Sequence, residues 1–251
     1  MILRRTLAMA VLTLVGWNMP AAAADMLVAA GSSLGGAFTE LAVGFQQSHP
    51  GSKVLMSFAA SDALADQVAQ GAPIDVLATA DQASMDRAAQ SGRIDAATRR
   101  NFAGNEVVLI VPSANPLNIG SVDDLAGAGV KRVVFGNPAN VPAGRYAKAA
   151  LERSGQWDIV KRREMLAKDV RQALDIVARG EADAGFVFAS DASVLSDKVK
   201  AVQTLASPAP VSYAIALVQR PERHPQAQAF LDYVVSPQGT AVLAKYGFTQ
   251  P

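Results

Sequence analysis

Short apolar runs alternate with amphipathic stretches over most of the chain after its first 25 residues. Short apolar runs between turn-forming residues are typical of strands in sheets that are covered on both faces. The pattern predicts strands over 26–30, 54–59, 74–79, 107–112, 132–136, 185–188 and 213–218. Because helical stretches separate these strands, the sequence predicts the α/β class, with mostly parallel sheets flanked by helices.

Apolar residues three and four positions apart predict the helices between these strands. The clearest stripe runs from Val170 to Ala178. Comparable spacing predicts helices over 38–45 and 227–235, and helices that begin near Ser61 and Ala143.

The first 24 residues have the layout of a secretory signal peptide. Arg4-Arg5 precede an apolar stretch over 7–17, and small residues over 22–24 suit cleavage before Asp25. The apolar stretch is shorter than the roughly 20 residues that a membrane span requires. We therefore expect this segment to be removed on export, in preference to remaining as an anchor.

Composition and charge narrow the classes of function. The chain has 251 residues, with 23 Lys and Arg against 22 Asp and Glu, two His and no Cys. Such a balance lacks the broad basic field of sequence-independent nucleic-acid binding. Without cysteine there is no disulfide and no thiolate-ligated metal, and phosphate-loop and metal-binding motifs are absent from the sequence. We therefore expect no nucleic-acid partner, no resident cofactor and no directly ligated metal ion.

Several turns that precede predicted helices have a similar amino-acid composition. They are rich in Gly, Ser, Asp or Pro and lie at 31–36, 60–62, 140–144 and 168–171. A helix N-terminus presents unpaired N–H groups and a partial positive charge, so such turns bind anions without Lys or Arg. For any single turn, N-capping by Ser33, Ser61 or Asp169 is the simpler interpretation. The case for an anion site depends on the number of turns and on glycines that capping does not require.

The first of these turns allows a different class of function. Gly31-Ser32-Ser33-Leu34-Gly35 matches the Gly-x-Ser-x-Gly of a hydrolase nucleophile elbow, and His224 follows in the chain order of that class. However, no strand is predicted before it that would carry an oxyanion loop. An exported serine esterase is therefore the less favoured alternative.

Motifs of one family follow one another through nearly the whole mature chain. They include Ala-Gly-Ser-Ser-Leu at 30–34 and Lys-Tyr-Gly-Phe at 245–248. Between these two lie further matching stretches at 57–61, 71–75, 136–138, 141–144, 169–171 and 190–192. Each motif alone is weak, but in their order and spacing they resemble the periplasmic molybdate-binding proteins of ABC importers.

The resemblance implies a two-lobed periplasmic-binding-protein fold of type II, whose chain crosses the hinge twice. One lobe would comprise residues 25–104 and 211–251, and the other residues 105–210. The ligand would lie between the lobes, and a hinge motion would close the cleft over it. A periplasmic location of the mature chain agrees with the predicted signal peptide.

Position by position, the resemblance implies five residues at the ligand. Ser33 and Ser61 match two serines of the family that offer hydroxyl and backbone N–H donors. Ala143 and Val170 match positions that donate backbone N–H groups from the opposite lobe. Phe188 stands where the family has a tyrosine, and since phenylalanine cannot donate, we expect weaker binding than in tyrosine-bearing relatives.

Asp62 is a second departure, because the family often has a small residue beside its second serine. A carboxylate next to a bound dianion would repel it. We therefore expect Asp62 to favour the positive end of its helix while its side chain turns away from the ligand, out to solvent. The alternative is that Asp62 accepts a proton from a protonated oxyanion and shifts the preference toward phosphate-like ligands.

The resemblance implies a solute-binding protein that captures molybdate, and tungstate, and delivers it to an ABC permease in the inner membrane. It would perform no chemistry on its ligand, and we expect a monomer. A site that only donates hydrogen bonds favours fully deprotonated dianions, because the proton of hydrogen phosphate would stay unpaired. The alternatives are a protein of the same fold for a phosphate- or sulfate-like oxyanion, and the esterase.

Overall fold

Two five-stranded sheets form the framework of the computed structural model, which describes residues 25–251. The first sheet contains β1 (Met26–Gly31), β2 (Val54–Ala59), β3 (Val76–Thr79), β4 (Arg100–Asn105) and β10 (Val211–Leu217). The second sheet contains β5 (Val107–Pro112), β6 (Val133–Gly136), β7 (Glu164–Ala167), β8 (Ala184–Phe188) and β9 (Val199–Thr204). The strand orders are β2-β1-β3-β10-β4 and β7-β6-β8-β5-β9. The chain therefore enters the second sheet after β4 and returns to the first with β10, and we call the two parts the first and the second lobe.

Helices flank both sheets. In the described part of the chain they are α1 (Gly35–Ser48), α2 (Ser61–Ala69), α3 (Gln82–Gln90), α4 (Pro142–Arg153), α5 (Trp157–Lys161), α6 (Val170–Ala178), α7 (Ala189–Val194), α8 (Ala227–Val235) and α9 (Pro237–Lys245). A short 3₁₀ helix, Ser32–Leu34, precedes α1. The helix predicted from Val170 is confirmed, and its apolar stripe is the face that α6 buries.

The predicted α/β fold with mostly parallel sheets is confirmed, and each sheet is mixed because one of its five strands, β10 or β5, runs against the other four. β1 pairs in parallel with β2 and β3, whereas β10 pairs antiparallel with β3 and β4. In the second sheet β6 pairs in parallel with β7 and β8, whereas β5 pairs antiparallel with β8 and β9. The antiparallel pairs all involve β5 or β10. Each of these strands follows a crossing between the lobes and inserts between two strands that run in the opposite direction.

Three strands, β4, β7 and β9, were not predicted by the apolar runs. Each lies at an edge of its sheet, and each carries polar residues, as in Arg-Asn-Phe-Ala-Gly-Asn for β4. Edge strands are paired on one side and partly exposed to water, so they do not require an uninterrupted apolar sequence.

The described residues include no helix with both the length and the apolar character that a membrane crossing requires. The predicted signal peptide, residues 1–24, lies outside the residues that the structure describes.

Candidate anion-binding site

The five residues predicted at the ligand come together around one small cavity between the lobes. Ser33 and Ser61 line it from the first lobe, and Ala143, Val170 and Phe188 line it from the second. All five are at most 5% exposed. Its other lining residues are small or apolar: Gly31, Ser32, Ala59, Ala60, Ala80, Val141 and Pro142.

The strand order explains why these distant segments meet. Gly31 and Ala59 pair at the carboxyl ends of β1 and β2, and Ser33 and Ser61 follow directly. Gly136 and Ala167 pair in the same way at the ends of β6 and β7, and α4 and α6 begin a few residues later. Because the carboxyl ends of parallel strands form one edge of a sheet, each lobe presents two helix N-termini to the cleft.

Backbone N–H groups of these first helical turns supply donors at the cavity. Ser61 and Val170 are the first residues of α2 and α6, and Ala143 is the second residue of α4. N–H groups at such positions have no partner within the helix. No side chain caps α2 or α4, whereas Asp169 caps α6 by accepting from the Gln172 N–H at 2.8 Å. The capping interpretation is therefore right for Asp169 and wrong for Ser33 and Ser61, whose hydroxyls cap no helix.

Both serine hydroxyls are held by groups behind the cavity. The Ser61 Oγ accepts a hydrogen bond from the Ala80 N–H at 2.9 Å. The Ser33 Oγ lies 3.0 Å from the Oη of Tyr213, a residue of β10 that is fully buried. The sequence offered no signal for Tyr213, because the contact joins residues 180 positions apart.

Phe188 forms an apolar part of the cavity wall. Its ring packs against Tyr213, with centroids 5.7 Å apart, and against Tyr146, with centroids 6.3 Å apart. Phe188 therefore contributes shape and no hydrogen bond to the cavity.

Asp62 does not line the cavity, so its side chain turns away from the predicted ligand, as expected. The expectation that it turns to solvent is wrong, because Asp62 is buried and paired with Arg145 of α4. The Arg145 Nη2 and Nη1 donate to its two carboxylate oxygens at 2.8 and 3.0 Å, and the Ser84 Oγ donates at 2.6 Å. With its oxygens occupied in this way, Asp62 is not placed to accept a proton from a ligand.

The same arginine also binds Asp81 and so bridges the lobes. The Nε and Nη2 of Arg145 donate to Asp81 Oδ2 at 2.9 and 2.8 Å. Asp62 and Asp81 belong to the first lobe, whereas Arg145 belongs to the second. Asp62, Asp81, Ser84 and Arg145 form what we call the bridge cluster. Sequence reasoning missed Arg145, and the unusual carboxylate after Ser61 was the one signal that pointed to it.

A buried carboxylate lies close behind the site. Asp191, in the first turn of α7, is fully buried, and burial raises its pKa to about 7, while the charge of Arg171 opposes this. The Arg171 Nη2 is 3.3 Å from Asp191 Oδ1. Burial, and next the charge of Asp191, also raise the pKa of Tyr213 well above 10, so this phenol stays protonated near neutral pH.

Two of the glycines in these turns allow close packing within the protein and not the close approach of a ligand. A Cβ on Gly144 would lie 1.8 Å from the carbonyl oxygen of Gly136, so the start of α4 sits directly against the end of β6. A Cβ on Gly36 would lie 2.6 Å from the ring of Tyr246. For these positions the interpretation as ligand-approach glycines is wrong.

His224, the general base that the esterase alternative requires, does not lie near Ser33. The backbone N–H of His224 donates to Asp75, which also accepts from the N–H of Leu27 near the start of β1. Ser33 follows the other end of β1, and four residues of strand span about 13 Å. His224 is therefore beside the opposite end of the first sheet and cannot take the proton of Ser33.

The fold and the cavity define a class of protein: a two-lobed solute-binding protein whose lobes enclose a small ligand. The model of the bacterial extracellular solute-binding protein family matches residues 26–249 of this chain. Members of this family bind and transport solutes, and it is not a family of enzymes.

Individual relatives narrow the class further. The molybdate-binding protein ModA of Escherichia coli strain K12 is 38% identical over 243 residues, which cover 94% of this chain and 93% of that protein. ModA of Haemophilus influenzae is 36% identical over 236 residues, with 91% of each chain covered. A solved structure, the substrate binding domain of a putative molybdenum ABC transporter from Clostridium difficile, is 27% identical with a TM-score of 0.69 and covers 90% of this chain and 99% of its own. The chain thus belongs to the extracellular solute-binding proteins, and within them to the family of the ModA molybdate-binding proteins.

Proposed function

We propose that this protein captures molybdate, and tungstate, in the cavity between its lobes and delivers it to an ABC permease. One observation carries the proposal: first turns of helices from both lobes and serines of the first lobe line the cavity, and the residues that line it, all among those described, carry no charge. Such a lining holds a small dianion through dipoles and hydrogen bonds alone. The names of the relatives support molybdate as that dianion.

In this proposal the ligand oxygens accept from the hydroxyls and N–H groups of Ser33 and Ser61 and from the N–H groups of Ala143 and Val170. Phe188 forms the apolar wall and donates nothing. Because the lining offers donors, hydrogen phosphate would keep an unpaired proton and bind more weakly than a fully deprotonated dianion. Discrimination between molybdate and sulfate would depend on the size of the cavity, since both are dianions.

The proposal includes a division of the chain into residues 25–104 plus 211–251 and residues 105–210. The positions of β4, β5, β9 and β10 in the two sheets support these boundaries. Closure of the lobes would bring the four donor residues together around the ligand. We further propose that the protein works in the periplasm as a monomer, after removal of residues 1–24, and leaves its ligand chemically unchanged.

The proposal is tested by thermal unfolding of residues 25–251 with molybdate, tungstate, sulfate or phosphate at equal concentrations. A ligand at one hundred times its Kd adds about 2.7 kcal/mol to the free energy of unfolding, which raises the Tm by several degrees. We expect this rise with molybdate and tungstate, and its loss in a Ser33→Ala variant. No rise with any of the four anions would overturn the proposal.

A second candidate has one observation in its favour. Phe188 removes a hydroxyl donor from the cavity wall, so this site differs from that of tyrosine-bearing relatives. A binding protein of the same fold for a sulfate- or phosphate-like oxyanion would show its rise in Tm with those anions and not with molybdate.

A further inference from the structure

A chain of hydrogen bonds runs from the hinge to the cavity through Asn105, Tyr213 and Ser33. Asn105 ends β4, where the chain leaves the first lobe, and its side chain is buried. Its Nδ2 is 3.3 Å from Tyr213 Oη, which in turn is 3.0 Å from Ser33 Oγ. Of these three residues, Ser33 is the one that lines the cavity.

The direction of these hydrogen bonds follows from the amide of Asn105. Its Oδ1 accepts from the Glu106 N–H at 2.9 Å, so the Nδ2 is the atom that faces Tyr213 and Ser190. An amide nitrogen only donates. Tyr213 Oη therefore accepts from Asn105 and has its own proton left to donate to Ser33 Oγ.

The same logic then applies to Ser33. Its oxygen accepts from Tyr213, and its proton is free to point into the cavity. Ser61 is arranged alike, since its Oγ accepts from the Ala80 N–H and its proton is also left for the cavity. Two independent buried donors thus turn both cavity hydroxyls into donors toward a ligand.

We propose that Tyr213, oriented by Asn105, is a positioning and specificity-determining residue that makes the Ser33 hydroxyl a donor to the bound oxyanion. This inference rests on the proposed function and extends it. Phe188 has no hydroxyl to offer the ligand. Tyr213 does not line the cavity, so it acts on the ligand through Ser33 and not by direct contact. Without Tyr213, the Ser33 hydroxyl is free to rotate, and its oxygen can then accept the proton of hydrogen phosphate.

The test is calorimetric titration of wild type and Tyr213→Phe with molybdate, tungstate, sulfate and hydrogen phosphate. Tyr213→Phe keeps the ring that packs on Phe188 and removes only the hydroxyl. We expect molybdate to bind about 3- to 10-fold more weakly, the size of one neutral hydrogen bond, and the ratio of molybdate to hydrogen phosphate affinity to fall further than that. Tyr246→Phe is the matched control, because its hydroxyl contacts Glu40 in the same lobe and does not line the cavity.

A double-mutant cycle separates positioning from general damage. In a Ser33→Ala background, Tyr213→Phe should cause no further loss of molybdate affinity, because its effect passes through Ser33. An equal loss in both backgrounds, or an unchanged anion ratio in Tyr213→Phe, would overturn this inference alone. Failure of the wild type to bind any of the four anions would overturn the proposed function and this inference together.

Discussion

At the scale of single residues, the proposed function depends on the direction in which two hydroxyl protons point. Ser33 and Ser61 each face the ligand position with a hydroxyl whose oxygen is held from behind, by Tyr213 and by the Ala80 N–H. The sequence predicted both serines, because they stand in recognisable turns. It did not predict Tyr213, because nothing in a strand sequence shows which distant side chain its hydroxyl meets.

Phe188→Tyr is expected to tighten oxyanion binding. The residue lines the cavity, and a tyrosine there would add a hydroxyl donor to a charged ligand, worth about 1.5–3 kcal/mol. That energy corresponds to roughly 10- to 150-fold in Kd. Titration of both proteins with molybdate measures the change, and an unchanged or weaker affinity would show that the new hydroxyl does not reach the ligand.

Asp191 should make stability fall as pH rises. Its folded pKa of about 7 exceeds the unfolded value near 3.9, so the folded state binds more protons between these values. The stabilising contribution is complete below about pH 4 and is lost as pH rises through 7. Asp191→Asn removes the titration. Between pH 4 and pH 8, the free energy of unfolding of the variant should rise relative to that of the wild type by on the order of 2–4 kcal/mol, as measured by denaturant unfolding. A difference in unfolding free energy that does not change with pH would contradict this.

At the scale of elements, the local sequence predicted those with an uninterrupted apolar pattern. All five residues of β8 are buried, and the stripe of α6 repeats without interruption. The edge strands β4, β7 and β9 escaped prediction, because polar residues shorten or interrupt the apolar run by which the other strands, including the edge strand β2, were predicted. The direction of β5 and β10 also escaped, because pairing direction depends on where the chain returns from the other lobe.

Gly144→Ala is expected to move the start of α4 away from β6. The new Cβ would lie 1.8 Å from Gly136 O, so the helix has to shift, at a cost of about 1–3 kcal/mol in unfolding free energy. The shift would also displace the Ala143 N–H and weaken oxyanion binding. Denaturant unfolding and molybdate titration measure the two effects.

Gly35→Ala is the control for this prediction. A Cβ on Gly35 would have no atom within 4 Å, and its backbone is helical. We therefore expect equal or slightly higher stability for this variant. If Gly144→Ala behaved like Gly35→Ala, the close contact between α4 and β6 would not constrain the site.

At the scale of the whole molecule, the bridge cluster links the two lobes beside the cavity. Arg145 meets Asp62 and Asp81 across the cleft with four hydrogen bonds between 2.8 and 3.0 Å. Both carboxylates are buried. Besides Arg145 they accept hydrogen bonds from Ser84, and the Arg87 Nη1 lies 3.8 Å from Asp62 Oδ2. Family motifs in the sequence indicated the residues of the proposed ligand cavity, whereas this bridge had no motif, because ion pairs between distant helices leave no local pattern.

Arg145→Met is expected to favour the open arrangement of the lobes. Loss of the arginine removes the ion-pair partner of Asp81 and the nearer of the two arginines beside Asp62 in the closed form. Removing one member of a buried ion pair costs about 3–5 kcal/mol. The radius of gyration without ligand should rise in small-angle scattering, and molybdate affinity should fall about tenfold or more, because fewer molecules are closed. Lys148→Met on the same helix is the control, since Lys148 is exposed. Identical scattering and affinity in the two variants would show that the bridge does not hold the lobes.

The division of the donors between two lobes also has a consequence for release. Ser33 and Ser61 lie on one side of the cavity and Ala143 and Val170 on the other, so separation of the lobes leaves each half with two donor residues. Neither half carries a fixed charge at the cavity that would retain the anion alone. Under the proposed function, the permease therefore needs no competing ion or proton to release the anion. Separation of the two lobes is sufficient for release, so the affinity for the anion is set by how far the lobes are held apart.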